Sequence, residues 1–166
     1  VNAFCASGGY IYVFTGMIKF VRSYDELAGI IAHKIAHVDL RHTTQQMTAS
    51  FGKKLLFELI LGDNRGLLTE VAGQLTGFAY SRVQKTESDM RAIDYLCQTP
   101  YAPDSMKNFF IGMAKESGAS VPTFLSAHPS PANRVQKLEE KISLTNCAGA
   151  TKVHTHNFST FQALLP

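Results

Sequence analysis

The chain is 166 residues long, 45% hydrophobic and 17% charged, the size of one folded domain. At that length about two-thirds of the unfolded surface is buried on folding, so neither a disulfide nor a metal is needed merely to hold a core. Sixteen Lys and Arg against thirteen Asp and Glu give a formal net charge of +3, but no basic run or stripe concentrates it, which argues against a nucleic-acid partner.

The first twenty residues are rich in aromatic and β-branched side chains and are split by Gly8-Gly9, the pattern of a strand, a tight turn and a second strand over Tyr10 to Phe14, closed by Thr15-Gly16. Ser23 followed by Glu26 is a capping-box signature, and Leu27, Ile30, Ile31, Ile35 and Val38 then recur at helical spacing, predicting a helix to about residue 48. A second helical region spans about Lys53 to Leu61 and breaks at Gly62-Asp63-Asn64. A third runs from Leu67 to Cys97, weakened at Gly73 and Gly77, and stops before Thr99-Pro100. Asp104 caps a helix reaching about Ser117 and ended by Gly118. The last helix opens at His128-Pro129-Ser130-Pro131, with Ser130 as N-cap and Pro131 in the first helical position. The tail from Asn146 shows no clear element. The expected fold is α+β and mainly helical, one small β ribbon on four or five helices, with a domain over 1–145 and a tail over 146–166.

Cys5, Cys97 and Cys147 are too far apart for a CxxC zinc knuckle, and their odd number leaves at least one thiol unpaired within the chain, so they do not identify a compartment. No uncharged apolar run approaches the roughly 18 residues of a membrane span, so any membrane association is expected to be peripheral. The start at Val1, without Met or a signal-type sequence, is what a trimmed piece of a longer precursor would show.

Within the capped helix lies His33-Lys34-Ile35-Ala36-His37. Histidines at i and i+4 share one helix face with Cβ atoms about 5–6 Å apart, close enough to ligate one metal ion. An isolated HxxxH is more often a pair of core or half-exposed histidines. The surrounding residues change that balance. Leu27 to Val38 resembles the zinc helix of the HtpX-like metallopeptidases, which include the CAAX prenyl protease and soluble bacterial members such as BepA and LoiP. Asn2-Ala3-Phe4 with Gly9 to Gly16 resembles the family's strand pair, Ser81-Arg82 through Asp89 its SRxxExxxD segment, and His128-Pro129 with Arg134 its HP...R element. Four motifs in order across residues 2 to 138 make coincidence a poor explanation.

The resemblance implies a zincin-like peptidase domain with the β ribbon packed on the HxxxH helix. Zn²⁺ would be held by His33, His37 and an acid from the SRxxExxxD segment, with a helix Glu as general base, Asp89 bracing a zinc histidine, His128 beside the reacting carbonyl and Arg134 supporting the site. The ribbon's edge strand implies a polypeptide partner bound in extended form, and the soluble branch implies the bacterial periplasm or the periphery of the outer membrane.

Two departures fall on the positions that matter most. The general-base position is Lys34 and the third-ligand position is Lys85. An ammonium can neither take a proton from water nor donate a lone pair to zinc. A pair of unit charges about 4 Å apart at an effective dielectric of about 20 interacts by roughly 4 kcal/mol, so reversing two of them beside a dication predicts weak zinc binding. Neither neighbouring acid rescues the site: Glu87 points about 200° away from Lys85 on a helix, and Asp89 holds the bracing position. His42, nine residues beyond His33 and about 180° round the helix, is expected to face away from the metal. His154 and His156 are expected to be an exposed pair in the tail, and Arg82 and Arg134 can equally be surface or ion-pair arginines.

Three readings follow: a working zinc endopeptidase, a pseudopeptidase that binds extended polypeptide without cutting it, and an otherwise active enzyme carrying two Glu-to-Lys changes, each reachable by a single base. Restoring Glu at both positions would give 14 basic against 15 acidic residues, a net charge of −1. The basic bias of the chain therefore comes wholly from Lys34 and Lys85.

Overall fold

Ser23 starts the helix on which everything else is assembled. A computed structural model of the chain describes residues 1–6, 8–61, 80–115, 131–145, 147 and 154–166. The Ser23 hydroxyl accepts the Glu26 N–H at 3.1 Å, and the Glu26 carboxylate turns back to accept the Arg22 N–H at 2.9 Å, a near relative of the expected capping box shifted by one residue. The helix that follows, α2, runs Tyr24–Asp39. Before it come β1 (Ala3–Cys5), β2 (Ile11–Val13) and α1 (Thr15–Phe20). Thr15-Gly16 thus opens a short helix instead of closing the ribbon.

The strands are antiparallel, with Ala3 opposite Val13, Phe4 opposite Tyr12 and Cys5 opposite Ile11. Strand alternation sends Ala3 and Cys5 into the core and leaves Phe4 outside, stacked on Tyr12 with ring centroids 4.7 Å apart. The buried face of β1 lies on α2, so the expected ribbon-on-helix packing is what the chain forms.

α2 ends at Asp39, well short of the expected residue 48. Leu40 caps it and Arg41 adopts φ 57, a left-handed conformation that a non-glycine residue rarely takes. A new helix, α3, then runs His42–Leu61, with a break at Gly52, where φ is 73. The next described helix, α4 (Arg82–Leu96), begins with a full capping box between Ser81 and Gln84, so the expected helix over Leu67 to Cys97 has a start signal of its own inside it; residues 67–79 lie outside the described set. α5 is Asp104–Lys115 and α6 is Pro131–Leu144, with Pro131 at its first position as expected. Ser117, Gly118 and Ser130 lie outside the described residues.

The tail corrects the sequence reading. Helix α7 (Phe158–Ala163) places Phe158 in the core at 2% exposure, against Tyr24, and Gln162 donates to the Ile18 and Val21 carbonyls of α1 and its cap. Asp25, buried in the first turn of α2, accepts the N–H of Ala102 at 2.8 Å and that of His154. His154 is therefore a half-exposed partner of Asp25, its Nδ1 3.0 Å from Oδ1, and not one of an unengaged pair.

The core joins α1, α2, α4, α5, α6 and α7 through Met17, Ile30, Ile93, Leu96, Phe109, Met113, Leu138 and Phe158. Gly29 lets α5 come close: a Cβ there would meet the Met106 side chain at 2.7 Å. A disulfide joins Cys97, the C-cap of α4, to Cys147 beyond α6, leaving Cys5 as a buried thiol. Among the described residues no helix is long and apolar enough to cross a membrane.

Candidate metal centre

His33 and His37 project from the face of α2 that packs against α4, at 3% and 0% exposure, with Nε2 atoms 3.1 Å apart. Two ligands about 2.0–2.1 Å from a tetrahedral ion lie about 3.3 Å from each other, so the pair is spaced as two imidazoles on one metal would be. Their outer nitrogens are held. His33 Nδ1 lies 2.9 Å from Asp89 Oδ1, at ion-pair distance though out of line for a full hydrogen bond. Asp89, on α4, is itself gripped by Arg134 of α6, which donates from Nε to Oδ2 at 2.7 Å and from Nη2 to Oδ1 at 2.6 Å.

His37 is oriented by a residue the sequence reading sent elsewhere. The break at Arg41 swings His42 back, so its Nδ1 lies 3.1 Å from His37 Nδ1, while its Nε2 faces Glu87 at 3.2 Å. The expectation that His42 faces away fails because it assumed one continuous helix. Glu87 accepts the proton of His42 Nε2, so His42 Nδ1 accepts from His37 Nδ1–H, and His37 Nε2 carries a lone pair. Asp89 favours Nδ1–H on His33 through its charge, although the contact is out of line for a hydrogen bond. Both Nε2 lone pairs then point at each other, an arrangement suited to a shared cation.

The residues around this pair do not complete a zinc site. Lys34 is 4% exposed and Lys85 6%. Among the described residues no group of three or more His, Cys, Asp or Glu could hold a metal ion. Burial pulls the Lys34 pKa down to about 8, with repulsion from Arg134 and Lys85 adding to it, and burial likewise lowers Lys85. Burial and the neighbouring cations hold both imidazoles neutral, far below the ordinary histidine range. Asp89 shifts upward because it is buried, against the pull of Arg134. The set is thus two converging imidazoles with buried lysines at the positions where the resemblance expects the base and the third ligand, and these side chains do not fit Zn²⁺.

Cys5, Thr43, Tyr80 and Ser88 also border the site, and no motif announced them. Tyr80 stacks on His37 at 3.9 Å and bonds Thr43 at 3.0 Å, Thr43 lies 3.2 Å from the Cys5 thiol, and Ser88 lies 3.3 Å from His42 Nδ1. His128 lies outside the described residues. Arg82, exposed at the start of α4, acts on Lys85 only through its charge.

An α+β domain with paired imidazoles on a buried helix, one of them braced by a carboxylate from a neighbouring helix, is of the metallopeptidase class. The sequence profile of Peptidase family M48 matches residues 1–142, and the chain belongs to that family. It is 28% identical over 149 residues to the mitochondrial metalloendopeptidase OMA1 of Schizosaccharomyces pombe, covering 84% of this chain and 43% of that one. Over 159 residues it is 28% identical to the putative beta-barrel assembly-enhancing protease of Vibrio cholerae, covering 85% and 32%. Metalloprotease LoiP of Escherichia coli is 25% identical over 150 residues, covering 86% and 59%. The chain spans less than two-thirds of the length of each of these relatives. The family implies a metal cofactor, which sharpens the contrast with the two lysines.

Proposed function

We infer that this M48 domain keeps the frame for holding an extended polypeptide while its zinc-dependent hydrolysis is impaired. The observation that carries the reading is the burial of Lys34 and Lys85 beside the His33–His37 pair. In the family pattern those two positions supply the general base and the third ligand. Losing a general base typically costs 10²–10⁴-fold in rate, and two ammonium groups beside a dication weaken its binding as well. Polypeptide binding is supported by β2, whose Tyr12 is 52% exposed and whose neighbours Tyr10 and Phe14 are also exposed apolar surface. A strand of that kind can add an extended peptide to its edge, main chain to main chain.

Placement on the soluble bacterial side of the family, in the periplasm or at the periphery of the outer membrane, belongs to the same reading. It is supported by the likeness to the protein named for beta-barrel assembly and by the Cys97–Cys147 disulfide, which forms in oxidising compartments.

The experiment is metal analysis of protein purified without chelator, run beside casein and quenched-peptide cleavage. Substoichiometric zinc and turnover at least a hundredfold below an M48 enzyme are expected. Stoichiometric zinc with ordinary turnover would sink the impairment reading.

A further inference from the structure

The two strands of the ribbon divide their side chains between a covered face and an open one. Ala3 and Cys5, with their partners Val13 and Ile11, share the face laid on α2. Phe4 and Tyr12 turn to the other face. Tyr10 and Phe14, two residues to either side of Tyr12, are exposed at 66% and 45%, and Tyr12 itself at 52%. Phe4 stacks on Tyr12 with centroids 4.7 Å apart and planes 13° from parallel, and meets the Phe14 ring at 5.9 Å. Contiguous aromatic surface left open to water marks a place where another chain binds.

The hydrogen-bond register shows which main-chain groups β2 has left to offer. The Phe14 N–H donates to the Asn2 carbonyl at 3.1 Å, and the Ala6 N–H to the Tyr10 carbonyl at 2.9 Å. Antiparallel ladders alternate hydrogen-bonded and non-hydrogen-bonded pairs. Phe4 and Tyr12 lie midway between those two bonded pairs, so their backbone groups are used on each other. The N–H and C=O groups of Ile11 and Val13 therefore point away from β1, to an edge that carries no further strand among the described residues. An antiparallel chain added there bonds to Ile11 and Val13. Its residue opposite Tyr12 falls in a non-hydrogen-bonded pair, where Cα atoms are about 4.5 Å apart and side chains come closest.

That register decides which side chain fits. Neighbouring strands lie about 4.7–4.9 Å apart, and the Phe4 and Tyr12 rings are stacked at the same spacing. A ring on the added chain opposite Tyr12 continues the stack to a third member. An aliphatic side chain there covers apolar area without the stacking, and a small one does neither.

We propose that Phe4 and Tyr12 form a side-chain subsite selecting an aromatic residue of the extended polypeptide, the residue paired with Tyr12 when that chain adds to the free edge of β2. The proposal rests on the polypeptide-binding reading above and names the side chain which that reading leaves open. Alternate residues of a strand face opposite ways, so the neighbours of the selected residue turn toward α2. The subsite thereby sets the register of the bound chain on the helix that carries His33 and His37.

The test uses the full chain and fluorescence anisotropy with short labelled peptides of Thr and Ser that differ only in their central residue, Phe, Leu or Ala. The Phe peptide is expected to bind about tenfold more tightly than the Ala peptide and about threefold more tightly than the Leu peptide. Tyr12→Thr keeps a strand-forming residue and removes the ring, so this variant should bind all three within about twofold of the parent's affinity for the Ala peptide. Equal binding of Phe and Ala peptides by the parent, a Leu peptide that binds as well as the Phe peptide, or a preference unchanged in Tyr12→Thr overturns the proposal. Should the variant not fold, the parent gives the same answer by nuclear magnetic resonance. The Tyr12 ring-proton signals should move upfield with the Phe peptide and not with the Ala peptide, and signals that stay in place with both overturn it.

N-methylation of the two residues flanking the central Phe blocks the N–H groups aimed at Ile11 and Val13, and so tests the reading beneath. It should abolish binding of the Phe peptide. Undiminished binding after methylation removes strand addition and the subsite together, as does a failure to bind any of the three peptides. Equal binding of all three that methylation abolishes keeps the polypeptide reading and removes the aromatic subsite alone.

Discussion

Arg134 grips Asp89 through two parallel hydrogen bonds of 2.7 and 2.6 Å, with both side chains shut away from water. The pair ties α6 to α4 and sets the carboxylate that faces His33. Removing one partner of such a pair typically costs about 3–5 kcal/mol, because the other charge is left buried and alone. Here the two removals are unequal. Asp89→Asn leaves the Arg134 guanidinium buried without its carboxylate, whereas Arg134→Met leaves Asp89 with Lys85, one turn away on α4. Urea unfolding should show Asp89→Asn as the more damaging change, at about 3–5 kcal/mol, and the reverse order would mean that the lysines carry no charge in the folded state.

Charge restoration separates the metal from the chemistry. Lys85→Glu returns an acid to the third-ligand position, and the His33 and His37 lone pairs already converge, so this variant should gain zinc measurable by elemental analysis. It should still turn over slowly, because an ammonium at position 34 cannot take a proton from water. Adding Lys34→Glu should raise cleavage of a quenched peptide by about 10²–10⁴-fold over the single variant. If the double variant recovers neither metal nor cleavage, the assignment of Lys85 to the ligand position is mistaken.

How much of this could be read from the sequence depended on whether a residue's neighbours were local. The i, i+4 histidines, the Ser23 cap and the Pro131 start are fixed by short-range spacing, and each is found where it was expected. His42 departs from the expectation because the break before it falls at Leu40-Arg41, with neither Gly nor Pro to announce it, and the exposed Arg41 takes a left-handed conformation that no local pattern records. The Ser81–Gln84 capping box is a local signal, but helical periodicity in the sequence on both sides masks it. Cys5, Tyr80 and Asp25 with His154 reach their partners across 38, 37 and 129 positions of chain, so only the fold brings them together.

Asp25 gives the protein an acid-sensitive latch on its C-terminal segment. Burial pushes its pKa up, but the Ala102 N–H and the ring and backbone of His154 outweigh that, and the net shift is downward from 3.8. A depressed carboxylate contributes stability that is fully present above its unfolded pKa and is lost as pH falls through the folded one. Stability should therefore decline below about pH 4 as Asp25 takes a proton. Asp25→Asn should lose about 1–3 kcal/mol at neutral pH, from a buried acceptor no longer matched to its donors. Its acid limb should be flatter than that of the parent, and parallel limbs in the two proteins would show that other groups set the acid response.

The Cys97–Cys147 disulfide closes a loop across 50 positions that contains α5 and α6, and so limits the unfolded chain over nearly a third of its length. Loop-closure entropy for that separation gives about 4 kcal/mol. Reduction without alkylation should lower the melting temperature by roughly 10 °C for a domain of this size. Thiol titration supplies the internal check: the unfolded, unreduced chain should present Cys5 alone, and the reduced chain all three cysteines. Three titratable thiols before reduction, in protein exported to an oxidising compartment, would show that the bridge does not form and would withdraw its support for a periplasmic setting. Because Cys97 caps α4, an intact bridge should also slow amide exchange in the last turn of that helix more than in α3, which adjoins neither cysteine.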